Sequence, residues 1–214
     1  MKKPLFITFE GPEGAGKTSV LQALIEELKP ILGDDLVTTR EPGGNPISEA
    51  IRDILQPTED NGMDGRTEAL LYTAARRQHL VEVILPALEK NKVVISDRYV
   101  DSSLAYQGGG RGLGVENIWQ INQFAIDGLL PDLTIYLDVP SELGLARVKA
   151  NRQSKIDRLD KEALSFHQTV RQTYLKLQRE FSDRIKIIDA TQSLEKVIDD
   201  THALIFNALD IPKE

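Results

Sequence analysis

The chain of 214 residues contains no cysteine, which excludes disulfides, thiolate metal sites and cysteine nucleophiles and is compatible with a reducing compartment. It has no long hydrophobic run, and no stretch approaches the length needed to span a membrane. The apolar segment behind Met1-Lys2-Lys3-Pro4 is interrupted by Glu10 and is too short for a signal peptide, so the expected location is cytoplasmic, with no membrane partner. A basic surface is also missing. The net charge of −7 argues against a general nucleic-acid binder but leaves room for a small phosphorylated ligand, provided the cations are gathered locally. There is no internal repeat, low-complexity tract or linker, and the length suits one domain with mobile insertions.

Against these absences stands one complete motif. Residues 11–18 read Gly11-Pro12-Glu13-Gly14-Ala15-Gly16-Lys17-Thr18, a G-x-x-x-x-G-K-[ST] loop. The strand-like Leu5-Phe6-Ile7-Thr8-Phe9 precedes it, and Val20, Leu21, Leu24, Ile25 and Leu28 follow at helical spacing. In that context the backbone N–H groups of the loop and the helix N-terminus can wrap a polyphosphate. Lys17 is then placed to reach the β and γ oxygens, and Thr18 offers a hydroxyl to Mg²⁺. A nucleoside triphosphate site is the expectation.

Four further β-branched segments, 36–39, 93–96, 133–137 and 185–188, alternate with helical stretches. This predicts an α/β fold, a five-stranded parallel sheet with helices on both faces, and ligands collected at the carboxyl ends of the strands. Residues rich in chemistry follow those ends: the phosphate loop, Arg40-Glu41-Pro42-Gly43-Gly44, and Asp97-Arg98-Tyr99. Asp97, at the end of a buried strand in such a protein, is placed to hold Mg²⁺, with Arg98 between phosphoryl groups. Alternatively, the two form a surface ion pair.

Three other constellations each carry two readings. Tyr72 and Arg76 share a helical face and suit either a base sandwich with an edge donor or a core tyrosine beside a solvated arginine. Ser103, Tyr106 and Gln107 converge on one spot, as a ligand wall or as the end of a helix capped by Gly108-Gly109-Gly110. Arg147, Lys149, Arg152, Lys155 and Arg158 stand against the single acid Asp157, a net +4 over 147–158. That segment is either a solvated cationic face or a lid, about 147–160, that closes arginines over transferring phosphates. The phosphate loop contains no arginine, so charge compensation has to come from elsewhere.

In combination these motifs resemble the bacterial thymidylate kinases (dTMP kinases). The resemblance rests on Phe9-Glu10 with the phosphate loop, Arg40-Glu41-Pro42-Gly43-Gly44, Leu70-Leu71-Tyr72 with Arg76, Asp97-Arg98-Tyr99 with Ser102 to Gly108, and Pro131-Asp132-Leu133, and it covers nearly the whole chain in order. It implies the P-loop nucleoside triphosphate hydrolase fold and transfer of the γ-phosphoryl of ATP to dTMP, giving dTDP, with Mg²⁺, in a homodimer. By position it assigns Tyr72 to stacking on thymine, where the family more often has Phe, and Arg76 to thymine O4, with Ser103 and Gln107 near the base edge. Tyr106 falls where the ribose 2′ position is crowded, and Glu13 where the loop acid approaches the 3′-hydroxyl. Arg52 and Arg98 fall at the dTMP phosphate, with Arg40 in support. Arg147 goes to the ATP side, the catalytic lid arginine is one of Arg147, Arg152 and Arg158, with Arg152 favoured, and Asp157 and Asp160 go to acidic lid positions.

The acceptor in this reading is already an anion, so catalysis needs positioning and charge neutralisation more than a strong base. Another P-loop nucleotide or nucleoside kinase is the alternative, and a nucleoside kinase would need a base for a neutral hydroxyl. A GTPase-type switch would carry Asn-Lys-x-Asp, but the only Asn-Lys, Asn91-Lys92, runs into Val93-Val94.

Overall fold

The computed structural model describes residues 3–56, 62–151, 159 and 162–211. Within them five strands, β1 (Leu5–Glu10), β2 (Leu36–Arg40), β3 (Val93–Asp97), β4 (Leu133–Asp138) and β5 (Ile185–Asp189), form one parallel sheet in the order β2-β3-β1-β4-β5. Each predicted strand is present and runs one residue further at its carboxyl end. The added residue is charged every time: Glu10, Arg40, Asp97, Asp138 and Asp189.

Side-chain alternation divides the central strand between two cores. Leu5, Ile7 and Phe9 pack with Val20, Leu24 and Leu28 of α1 (Lys17–Leu32) and with Val197, Ile205 and Phe206 at the far end of the chain. Phe6 faces the other side, against Leu80, Ile84 and Tyr99. Burying each such aliphatic or aromatic side chain contributes roughly 1.5–3 kcal/mol. The same parity puts Thr8 and Glu10 on the Phe6 side, where Thr8 bonds Thr134 at 2.9 Å. The remaining helices are α2 (Pro46–Leu55), α3 (Gly65–His79), α4 (Leu85–Glu89), α5 (Val100–Ser103), α6 (Val115–Ile126), α7 (Ser141–Asn151), α8 (Leu164–Glu180) and α9 (Leu194–Ala208). Two π-helical stretches interrupt them, Leu80–Ile84 and Leu104–Gly110. The second carries Tyr106 and Gln107, and π geometry is frequent at functional sites. Its glycines, one reading of which was a helix cap, continue the helix.

The phosphate loop meets α7 backbone to backbone. Gly14 has φ +72°, and a Cβ there would sit 2.1 Å from Gly144 O; a Cβ on Gly144 would sit 2.3 Å from Glu13 O. Only hydrogens fit between these two segments. For Gly144→Ala, helix propensity alone would give a gain of about 1 kcal/mol, whereas the contact requires the loop or helix to move. The expected result is a lower melting temperature and weaker triphosphate binding than wild type. A variant as stable as wild type or more so, with binding intact, would mean the loop does not depend on this contact.

Candidate active site

A cavity of about 730 Å³ runs along the carboxyl ends of the strands, within the usual range for a small-molecule site. Beyond β2 and β3 it is lined by Arg40, Glu41, Pro42, Arg52, Asp97 and Arg98, and beyond β4 and β5 by Arg147, Ala190, Gln192, Leu194 and Val197. The phosphate loop lies between them. Tyr72, Arg76, Ser103, Tyr106 and Gln107 complete the lining. Six cations (Lys17, Arg40, Arg52, Arg76, Arg98 and Arg147) face three acids (Glu13, Glu41 and Asp97) here, in a chain of net charge −7. Positive potential is concentrated in one cleft.

Arg98 sits where two halves of the cleft meet. Its φ of +72° is rare for a side chain of this size and costs energy that the surroundings must hold. The conformation turns the guanidinium back over the loop, where Nη2 donates to Glu13 Oε1 at 2.6 Å and Nη1 to Gly11 O at 3.3 Å and Ser102 Oγ at 3.1 Å. Tyr106 closes a triangle, its hydroxyl donating to Glu13 Oε1 at 3.1 Å and accepting from Arg98 Nη2 at 3.3 Å. Burial works against the Arg98 charge, but Tyr106 and Glu13 more than offset it and hold the group above the ordinary arginine range.

Beneath Arg98 lies Glu10, to which the sequence motifs gave no site role. Its carboxyl is fully buried and accepts from Tyr99 N–H at 2.8 Å, Ser102 Oγ at 2.5 Å and the Tyr174 hydroxyl at 2.8 Å. Burial pushes it up to about 7, Asp101 adds to the rise, and Arg98 with the two hydroxyls pulls back. An acid ending an otherwise apolar strand was the available signal. Asp101 is itself held by Arg184, with two contacts of 2.7 Å.

On the other side of Arg98, the Arg76 side chain is 2% exposed, which removes the solvated alternative. Nε donates to Glu41 Oε2 at 2.8 Å, Nη1 to Ser103 Oγ at 3.0 Å and to Asn122 Oδ1, and Nη2 to Tyr99 O at 3.0 Å. These partners take four of the five N–H groups of a guanidinium and leave one of Nη2, in a side chain that lines the cavity, without a partner among the described residues. Gln107 donates to Glu68 Oε1 at 2.8 Å, which fixes its amide. Arg52 Nη1 donates to Pro42 O at 2.9 Å. Arg40 is the least enclosed of the set, 47% exposed and paired with Glu49 at 2.8 Å.

The thymidylate kinase family model matches residues 9–201. This chain belongs to the thymidylate kinase family. It is 82% identical to the thymidylate kinase of Leuconostoc mesenteroides over 98% of this chain and 99% of that one, and 81% identical to that of Leuconostoc citreum over the full length of both. A crystal structure of thymidylate kinase from Ehrlichia chaffeensis superposes with a TM-score of 0.77 at 33% identity, covering 95% of this chain and 98% of that one.

Among the described residues, the sequence-selected site residues from Glu13 to Thr18 and from Arg40 to Arg147 line the same cavity. Gly11 and Pro12 lie just behind it, where Lys17 Nζ donates to their carbonyls at 2.9 and 3.2 Å. Arg147 Nη1 donates to Ala190 O at 2.8 Å and to Gly14 O at 3.4 Å, tying the β5 exit to the loop. Arg152, Asp157, Arg158 and Asp160 lie outside the described residues. Sequence reasoning missed Ala190, Gln192, Leu194 and Val197, ordinary residues after β5 with no motif of their own. It also missed Asn122, whose only signal was a polar side chain on the face shared by Ile118, Ala125 and Ile126.

The residues present suit a magnesium ion. Asp97 Oδ1 is buried without a hydrogen-bond partner among the described residues, Thr18 lines the same cavity, and no cluster of three or more acidic or histidine ligands occurs among the described residues. Few protein ligands plus substrate phosphates is the usual arrangement for this ion. Burial pulls the Lys17 ammonium down to about 8, with Arg98 adding to the drop and Glu13 and Asp97 opposing it. The charged form is the one that attracts phosphate, so kcat/KM for ATP is expected to fall along an alkaline limb near pH 8. A bound polyphosphate favours the ammonium, so the limb in kcat moves upward. A limb in kcat/KM at the ordinary lysine value, about 10.4, would show that burial does not act on Lys17 in this way.

Proposed function

We infer that the cleft seats two anions end to end, ATP over the phosphate loop and dTMP beside Tyr72 and Arg76, with Arg98 at their junction. The family gives the reaction: the chain is an ATP-dependent dTMP kinase. The observation that carries the division of labour is the Arg98–Glu13–Tyr106 triangle, which joins the phosphate loop to the base side at contacts of 2.6–3.3 Å.

On the donor side, the loop amides and Lys17 hold the β and γ phosphates, and Arg147 and the apolar side chains of Leu194 and Val197 border the nucleoside. Thr18 and Asp97 would hold Mg²⁺, which would supply charge neutralisation for the phosphates. On the acceptor side, Arg52 and Arg98 anchor the dTMP phosphate, with Arg40 at the rim. Tyr72 stacks on the base, and Ser103 and Gln107 border its edge. The free N–H of Arg76 donates to O4, while Tyr106 and Glu13 border the sugar. The acceptor oxygen is anionic, so no residue has to remove a proton. The residues hold two repelling anions in line and stabilise charge on the moving phosphoryl. Arg152, in a lid of a single kinase domain, supplies the last positive charge on the sequence argument above.

We also propose a cytoplasmic homodimer. No helix among the described residues is long and apolar enough to cross a membrane. Phe124 on α6 is 91% exposed and Leu70 on α3 57% exposed, and Ile47 and Ile54 on α2 are exposed as well; α3 packs against both other helices. Large apolar side chains left exposed on neighbouring helices support a subunit interface there.

Two outcomes test this reading. At saturating ATP, kcat/KM should run dTMP above dUMP, with dCMP and dGMP poor, because the cytosine amino group meets Arg76 donor to donor, a mismatch of about 1–3 kcal/mol. In the same assay Arg152→Ala should lower kcat and leave KM for dTMP unchanged. Equal values for dTMP and dCMP would overturn the base assignment, and an Arg152→Ala enzyme with wild-type kcat would remove that residue from the chemistry. In sedimentation, Phe124→Asp should shift the particle to the monomer mass; an unchanged dimer would put the interface elsewhere.

A further inference from the structure

Glu41, in the turn after β2, is buried between two side chains of α3 that both contact it. Oε2 accepts from Arg76 Nε at 2.8 Å, and Oε1 lies 3.0 Å from His79 Nδ1. A carboxylate only accepts, so Nδ1 of His79 carries the hydrogen. Nε2 of the same ring meets Thr39 Oγ1 at 2.6 Å. Thr39, His79, Glu41 and Arg76 therefore form one continuous chain of hydrogen bonds that fastens β2 to α3. His79 is fully buried, and its ring fits only because residue 44 is glycine: a Cβ there would stand 2.8 Å from both Cδ2 and Nε2.

The four partners of Arg76 are not equivalent. Ser103, Asn122 and the Tyr99 carbonyl are neutral dipoles, whereas Glu41 supplies the negative charge. The other acids lining the cavity are Glu13, which is held by Arg98, and Asp97 at the crest of β3. A buried guanidinium without its counter-ion is costly, and the side chain would turn toward water or another acid. The direction of its one remaining N–H would be lost with it.

We propose that Glu41 and His79 are positioning residues for nucleobase discrimination: Glu41 locks the Arg76 guanidinium in plane, and His79 stops the Glu41 carboxylate from rotating. The proposal rests on the reading that Arg76 donates to a carbonyl of the base. It assigns the Arg-Glu-Pro-Gly-Gly turn a role in pyrimidine selection through Glu41, whose two oxygens are engaged by Arg76 and His79.

The test is the ratio of kcat/KM for dTMP to that for dCMP, measured with KM for ATP and the melting temperature. Glu41→Gln keeps the shape and an acceptor oxygen but removes the charge. It is expected to lower the ratio about tenfold, equivalent to about 1.4 kcal/mol, with KM for ATP unchanged. His79→Ala should lower the ratio similarly, and His79→Asn, which restores a donor near the Nδ1 position, should recover most of it. Arg76→Lys calibrates the scale and should abolish the preference. If Arg76→Lys loses the preference while Glu41→Gln keeps it, both substrates falling together, Glu41 is only structural and the proposal is overturned with the base reading intact. If Arg76→Lys keeps the preference, the base reading fails and the proposal falls with it.

Discussion

Phe9 of β1 stands opposite Asp97 of β3, and the Arg98 N–H donates to the Phe9 carbonyl at 2.9 Å as the chain leaves the sheet. Neighbouring parallel strands end at the same height, so the phosphate loop and the Asp97-Arg98-Tyr99 turn must share one crest. β2 pairs Arg40 with Asp97 on the other flank, which brings Glu41 to that crest as well. A slip of one residue in β1 would reverse its faces. Glu10 would then point into the apolar side packed by α1, away from Ser102 and Tyr174. The register thus decides which elements meet and also which side of the sheet carries the polar core.

That polar core is the energetic peculiarity of the molecule. Glu10, Glu41, Glu68, Arg76, His79 and Asp101 are all buried, and each has partners from another element. Buried polar groups are costly alone and acceptable only when satisfied. Their partners are therefore specified as tightly as any apolar contact. The result is a set of guanidinium groups whose directions are set before a ligand arrives, so less ordering remains to be done on binding. The strained backbone of Arg98 belongs to the same logic, because its φ of +72° is held by contacts to three elements.

The acidic composition and the anionic ligands are reconciled by segregation. Most acids lie elsewhere, while the cleft gathers six cations from segments spread between residues 17 and 147. Such a cleft attracts nucleotides against the sign of the whole chain because its field is local and the distant acids are screened by salt.

Much of this was legible from local pattern. The phosphate loop, all five strands and the helix face shared by Tyr72 and Arg76 follow from spacing and composition, because a strand, a loop motif or a helix face depends on residues adjacent in the chain. The strand ends fell one residue short, since a hydrophobic criterion stops at Glu10 or Asp97 where pairing does not. The cage around Arg76, the Glu10 hub and the Gly14–Gly144 contact were not legible. Asn122 reaches Arg76 across 46 positions, and Tyr174 reaches Glu10 across 164. Neither sequence neighbourhood carries a trace of the other, and such pairs exist only because sheet register and helix packing bring them within hydrogen-bonding distance.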